Sequence, residues 1–218
     1  MREPGLRRLL RHTAGAAFSG LARLVTGVRP VWRGVMPAGR QRIFFANHAS
    51  HGDFILLSAC LPPSERYRTR AVAAADYWEK TKLRRFVAHD LFDCVLVDRN
   101  PGDRARDPMA AMLDALDGGS SLIIFPEGTR NAQAELLPFR SGLYNLALAR
   151  PHVELVPAFI ENMSRVLPKG EVLPVPLLCR VLFGAPVAPS PGEERRMFLD
   201  RARAALLALD PRREDDKS

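Results

Sequence analysis

The sequence predicts an α/β domain, a mixed sheet flanked by helices, preceded by a basic amphipathic helix. Three observations carry this. From residue 43 onward, short apolar runs alternate with helix-length segments, the pattern of strands buried between helices. Across residues 5–28, apolar side chains recur at helical spacing. The positive charge collects at one end: nine arginines against the single acid Glu3 in residues 1–42, with 23 basic and 23 acidic residues in the rest. A chain of 218 residues suits one domain with a sizeable core. The expected division is a membrane-docking helix over 1–30, an α/β domain over 31–210 and a disordered tail over 211–218.

The basic segment comes first. Turned at about 100° per residue, Leu6, Leu10, Ala14, Ala17, Leu21, Leu24, Val25 and Val28 share one face. Arg8, Arg11, His12, Ser19, Arg23 and Thr26 share the other. Such a helix can lie in a lipid interface with its arginines on anionic headgroups, each worth about 1 kcal/mol there. It can equally pack its apolar face on the body. Gly15, Gly20 and Gly27 weaken it in isolation, so it is expected to firm up on one surface or the other. Nucleic-acid binding needs interleaved aromatics or a recognition motif. Phe18 and Trp32 supply neither, and no nucleic-acid partner is expected.

No stretch approaches 18 uninterrupted apolar residues, so no helix is expected to span a bilayer. Arginines interrupt any signal-peptide core. The three cysteines, Cys60, Cys94 and Cys179, sit among apolar neighbours without CxxC spacing, which fits a reducing compartment and argues against a zinc site. The expected location is the cytoplasmic face of the inner membrane, as a peripheral protein.

The body follows. Strands are expected at 43–46, 71–74, 94–97, 122–125, 155–160 and 181–183, and helices at 53–61, 78–88, 104–117, 140–150 and 192–209. Prolines 168, 174, 176, 186, 189 and 191 loosen the last third, and the charged end reads as a frayed tail.

Three loops after strands carry chemistry. The first is Asn47-His48-Ala49-Ser50-His51-Gly52-Asp53. A histidine can take a proton from an alcohol, and works best when a carboxylate holds its other ring nitrogen. Five residues apart, His48 and Asp53 meet only if His48 precedes the helix and Asp53 sits in its first turn. Ser50-x-x-Asp53 also reads as a capping box, which alone would account for both residues. The second loop is Val97-Asp98-Arg99. The third is Phe125-Pro126-Glu127-Gly128-Thr129-Arg130. There Gly128 permits close backbone approach and Arg130 offers a donor fork suited to phosphate. As plain surface turns, their local ion pairs would be worth roughly 0–1 kcal/mol each.

Together these residues resemble the lysophospholipid and glycerol-phosphate acyltransferase family. That family is known by a His-x4-Asp box, seen here at His48 and Asp53. Its second block ends in an arginine, here Arg99, and its third is Phe-Pro-Glu-Gly-Thr-Arg, complete at 125–130. The fourth centres on Val156-Pro157, and Pro138-Phe139-Arg140-Ser141-Gly142 is similar to its Phe-Lys-x-Gly segment with arginine for lysine. The resemblance implies that His48 is the general base and Asp53 its orienting partner. It implies that Arg99, Glu127, Gly128 and Arg130 hold the acceptor's phosphate and glycerol, with Asn47, Ser50 and Thr129 in the same substrate-binding set. Val156-Pro157 would lie near the acyl donor. The implied reaction carries a fatty acyl group from acyl-CoA or acyl-carrier protein to the free hydroxyl of lysophosphatidic acid, giving phosphatidic acid, with no metal, cofactor or acyl-enzyme. The implied partners are a lysophospholipid acceptor, the acyl donor and an anionic membrane surface. Other acceptors remain open: glycerol-3-phosphate, another lysophospholipid or a lyso-aminolipid. So does thioester hydrolysis, which the same dyad would serve, and a non-catalytic lipid binder. No Gly-x-Ser-x-Gly elbow supports a serine hydrolase.

Overall fold

The alternation of side chains along β2, Arg42–Ala46, sets the layering. Phe44 and Ala46 enter one core, Ile43 and Phe45 the other, as the two-residue period of a strand requires. The structure, a computed structural model, describes residues 5–34, 39–50, 52–98, 107–131, 135–161 and 179–215. Among these, β2 is joined by β1 Arg29–Trp32, β3 Thr69–Ala74, β4 Val95–Val97, β5 Ser121–Ile124, β6 Glu154–Glu161 and β7 Arg180–Phe183. They form one seven-stranded sheet in the order β1-β7-β6-β2-β5-β3-β4. Neighbours run parallel except β6 and β7, which are antiparallel. The sheet is therefore mixed, as expected.

One face is covered by α1 Gly5–Thr26, α2 Asp53–Cys60, α4 Ala75–Trp78 and a π-helical turn Phe86–Leu91, which contribute Phe54, Leu57, Trp78 and Ala88 to the core. The short α3, Pro63–Arg66, follows α2. The other face is covered by α6 Pro108–Asp117, α7 Gly142–Ala149 and α8 Arg195–Leu207, with Leu116, Leu143, Leu146, Phe198 and Leu206. Because β2 to β6 are mutually parallel, their C-terminal ends open on one edge, where ligands bind in open α/β sheets.

The six expected strands are all present. The seventh, β1, escapes notice because it is four residues long and contains Pro30, a residue confined to positions such as a sheet edge, where β1 lies. The expected boundary at residue 30 thus falls inside a strand. Pro157 sits within β6 between two neighbours, where a missing N–H is normally costly. It is tolerated because Pro157 faces Gly184, just past the end of β7, and its carbonyl accepts from the Gly184 amide at 2.9 Å.

Two expectations need correction. The single helix over 78–88 is broken: α4 ends at Trp78, and α5, Lys82–Arg85, starts afresh with Thr81 extended at φ −131° and its hydroxyl accepting from the Arg84 amide at 3.2 Å. The frayed tail over 211–218 begins instead with a helical turn, α9 Arg212–Asp215. Asp210 holds it by accepting from the Arg212 amide at 3.1 Å and pairing with its guanidinium at 2.7 Å. Residues 216–218 lie outside the described residues.

The N-terminal helix resolves which face meets the body. It packs on α2 and the π turn through Gly15, Ser19 and Thr26, all buried, and Phe18 meets Phe92 edge-on at 5.8 Å. Leu21, Leu24 and Val25 point away, with Leu24 83% exposed. Among the described side chains of the helix, the small, polar side is packed and Leu21, Leu24 and Val25 are open. Among the described residues no helix is long and apolar enough to cross a membrane.

Candidate active site

The loop after β2 brings the histidine and carboxylate together. Gly52 is the N-cap of α2, so Asp53 begins the helix while His48 lies in the loop before it. The Nδ1 of His48 and the Oδ2 of Asp53 are 2.8 Å apart. The same oxygen accepts from the amides of Ala49 at 2.7 Å and Ser50 at 2.8 Å. Asp53 is buried and His48 nearly so. With Nδ1–H directed at the carboxylate, Nε2 keeps its lone pair and can accept a proton. The ring stacks on Phe125, 4.1 Å between centroids, which fixes its plane. Half of the capping box forms: Asp53 accepts from the Ser50 amide at 2.8 Å, while the Ser50 hydroxyl accepts from the Gly52 amide at 3.2 Å instead of from the Asp53 amide.

Two neighbouring groups hold this loop. Asn47 donates its amide to the Ile160 carbonyl at 3.0 Å and accepts from the Ile160 amide at 2.7 Å, closing the end of β2 onto β6. Both ends of its side chain are engaged in the fold. Glu127 is also buried. One carboxylate oxygen accepts from the His48 amide at 2.9 Å, and the other from the Leu137 amide at 3.0 Å and the Asn131 side chain at 3.3 Å. The His48 carbonyl in turn accepts from the Asn131 amide at 2.6 Å. The carboxylate of the third loop is thereby a staple for the first.

A cleft of about 520 Å³ opens at the ends of the strands. His48, Gly128 and Arg140 border it, and Asp98 lies at the end of β4. Its walls are apolar: Phe54 and Trp78 from one helical layer, Met112, Leu143 and Leu146 from the other, Val72 and Val97 from the sheet. Thr129 and Arg130 are exposed and do not line it. Ser50 is buried and bonds within its loop. Arg99 and His51 lie outside the described residues. Val156 and Pro157 are buried in the sheet and do not line this cleft.

Arg140 was legible only as part of a motif, not as a site residue. Its backbone amide donates to the Pro126 carbonyl at 2.8 Å. Its side chain lies over Gly128, which has φ +70° and where an added Cβ would overlap Nε and Cδ of that arginine. No cysteine offers a rival nucleophile. Burial pushes the thiols of Cys60 and Cys94 up to about 12 and that of Cys179 to about 11, so none ionises near neutral pH.

Comparison with known proteins agrees with this geometry. The chain is 29% identical over 182 residues to a 1-acyl-sn-glycerol-3-phosphate acyltransferase of Limnanthes douglasii, covering 82% of this chain and 62% of that one. It is 26% identical over 197 residues to the human 1-acyl-sn-glycerol-3-phosphate acyltransferase alpha, covering 84% and 64%. The chain thus spans less than two thirds of these relatives. The crystal structure of a 1-acyl-sn-glycerophosphate (LPA) acyltransferase from Thermotoga maritima shares the fold, with a TM-score of 0.73 at 20% identity over 98% of this chain and 84% of that one. The sequence model of the acyltransferase family matches residues 31–161, which run from β1 through the His48–Asp53 loop and the 125–130 turn to the end of β6, and this chain belongs to that family.

Proposed function

We propose that this protein transfers a fatty acyl group from acyl-CoA or acyl-carrier protein to the free hydroxyl of lysophosphatidic acid, giving phosphatidic acid in phospholipid synthesis. One observation carries the reading: the 2.8 Å pairing of His48 with Asp53 at the border of an apolar cleft. Nε2 takes the proton of the acceptor hydroxyl as its oxygen attacks the thioester carbonyl carbon. Asp53 stabilises the imidazolium that forms. The tetrahedral intermediate collapses, the C–S bond breaks, and the sulfur leaves with the proton returned by His48. One ester forms and one thiol is released. The fatty chain lies along Val72, Val97, Met112 and Leu146, where each buried CH₂ contributes about 0.8 kcal/mol. Holding both reactants in one cleft supplies the orientation that a bimolecular reaction lacks.

The test is thiol release from palmitoyl-CoA by the purified protein, with and without lysophosphatidic acid. Release that requires the acceptor is expected. Release at the same rate without acceptor would make the protein a thioesterase and overturn the proposal.

The reaction belongs at an anionic membrane surface, on the cytoplasmic face of the inner membrane. The outward Leu21, Leu24 and Val25 of α1 support this. So does a second exposed apolar pair, Leu83 and Phe86, set among Lys80, Lys82, Arg84 and Arg85. Arg84 stacks on Tyr77 of the cleft wall at 4.0 Å, so this basic segment adjoins the cleft. Apolar area combined with nearby cations is what interfacial binding uses. Replacing Leu21 and Leu24 together by glutamate is expected to lower co-sedimentation with phosphatidylglycerol vesicles at least about tenfold, since burial of two leucines is worth roughly 3 kcal/mol or more. Both side chains are exposed, so the fold should persist. Unchanged sedimentation would show that α1 is not the anchor.

A further inference from the structure

A second cavity, of about 190 Å³, lies at the opposite edge of the sheet from the cleft. The two are joined by β3. Thr69 at the start of that strand borders the cavity, and Ala74 at its end borders the cleft, roughly 16 Å away. Gly15 of α1 and Ser120, just before β5, also form its wall. The acyl-transfer chemistry makes no use of this space.

The lining carries three guanidinium groups, Arg66, Arg68 and Arg70, against one carboxylate, Asp93. The fold takes only part of each arginine's donor set. Arg66 gives Nε to the Ser58 carbonyl at 3.0 Å, and Nη2 to the carbonyls of Ala59 at 3.2 Å and Leu61 at 2.9 Å. Arg70 gives Nε to the Asp93 carbonyl at 2.7 Å and Nη2 to the Asp93 carboxylate at 3.4 Å. Arg68 gives Nη2 to the Arg40 carbonyl at 2.6 Å and, at 3.5 Å, to Glu65. Among the described residues, Nη1 of all three arginines has no acceptor. Nε of Arg68 is in addition buried and without a partner. A buried charged donor without an acceptor is costly, and in a native fold it points to an ion or water that satisfies it. Burial, and then the nearby charge of Arg23, hold the Arg66 guanidinium below the usual arginine range. Cations are crowded here, and an anion relieves that repulsion as well as the unmet donors.

We infer that this cavity is a second anion site, which binds a phosphate group through Arg66, Arg68 and Arg70 and is separate from the catalytic cleft. The planar donor fork of arginine matches phosphate oxygens two at a time. The phosphate can belong to a phospholipid headgroup or to a small soluble phosphate compound. A headgroup is within reach because Gly15 lies six residues, about 9 Å along the helix axis, from the exposed Leu21 of α1. The site stands whatever reaction the cleft performs.

The test is calorimetry with inorganic pyrophosphate and, separately, with dihexanoyl-phosphatidylglycerol below its micelle concentration, on the wild-type protein, Arg68→Gln and Ser120→Glu. Arg68→Gln removes the arginine with the most unmet donors. Because Arg68 also holds the Arg40 carbonyl, Ser120→Glu is the companion: it keeps all three arginines and adds a carboxylate to the wall. Both variants are expected to weaken binding of at least one probe about ten- to a hundredfold, the span of one or two charge-assisted hydrogen bonds. Acceptor-dependent thiol release from palmitoyl-CoA should stay at the wild-type rate, since the cleft lies at the other edge. Any part of the isotherm common to all three proteins belongs to the cleft. Loss confined to pyrophosphate assigns the site to a soluble phosphate compound, and loss confined to the lipid assigns it to a headgroup. The inference is overturned if the wild-type protein binds neither probe, if Ser120→Glu binds both as the wild type does, or if lost binding comes with an equal loss of turnover at an unchanged Tm, which would put the anion in the catalytic cleft.

Discussion

Replacing His48 by alanine is expected to lower kcat about a hundred- to ten-thousandfold, the usual contribution of a positioned general base, with little loss of stability. The small structural effect follows from what the ring touches. It borders the cleft, stacks on Phe125 and bonds Asp53. Without it, Asp53 still accepts from the Ala49 and Ser50 amides, so its buried charge is not orphaned. The backbone amide of residue 48 still donates to Glu127. Acceptor-dependent thiol release and a thermal melt on the same preparation check both halves. Retention of more than a few per cent of wild-type turnover would remove His48 from the base role. A large drop in Tm would mean that the loss of activity says nothing about chemistry. Asp53→Asn separates orientation from proton transfer: kcat should fall because the carboxamide no longer stabilises the imidazolium. It should also melt earlier, because the single oxygen that serves three donors is replaced by a carboxamide in a buried site.

Much of this was legible from residues alone, for identifiable reasons. Strands such as 43–46 and 122–125 are buried on both faces, so they appear as continuous apolar runs. The His48–Asp53 spacing was informative because only one local conformation, loop then helix, lets those groups meet. What was not legible depends on contacts far apart in the chain. Glu127 reads as a ligand-binding carboxylate until the amides of His48 and Leu137 are found on its two oxygens. Asn47 reads as a site residue until Ile160, 113 positions away, is seen to take both ends of its amide. Arg140 reads as an incidental arginine until Gly128 is found beneath it. The face by which α1 packs was undecidable because its glycine and serine side carries few apolar atoms to mark it as a buried face, yet lets the helix approach α2 closely.

Glu127 is where the two readings of the site separate most sharply. If its carboxylate bound the substrate's glycerol, Glu127→Ala would raise the acceptor KM and leave stability untouched. The observed bonding predicts the opposite. Truncation leaves the His48 and Leu137 amides without their carboxylate acceptor beside a buried position, while the Asn131 side chain keeps the Glu135 carbonyl. Each unsatisfied buried donor costs about 1–3 kcal/mol. Some relief comes from removing a buried charge, so a net loss of about 3 kcal/mol is expected. That is a large share of a typical stability of about 5–15 kcal/mol and corresponds to roughly 6–12 °C in Tm for a chain of this size. Turnover should fall as well, and in kcat, because the amide that fixes the His48 backbone is released and a displacement of about 1 Å at a base can cost on the order of a hundredfold. Glu127→Gln should fall between, since one carboxamide oxygen can still serve one amide while its NH₂ confronts another. Thermal melts and steady-state kinetics on both variants decide the matter: a raised KM with an unshifted melt would return Glu127 to the substrate, whereas a lowered melt with a depressed kcat fixes it as the staple between the turn at 126–128 and the catalytic loop.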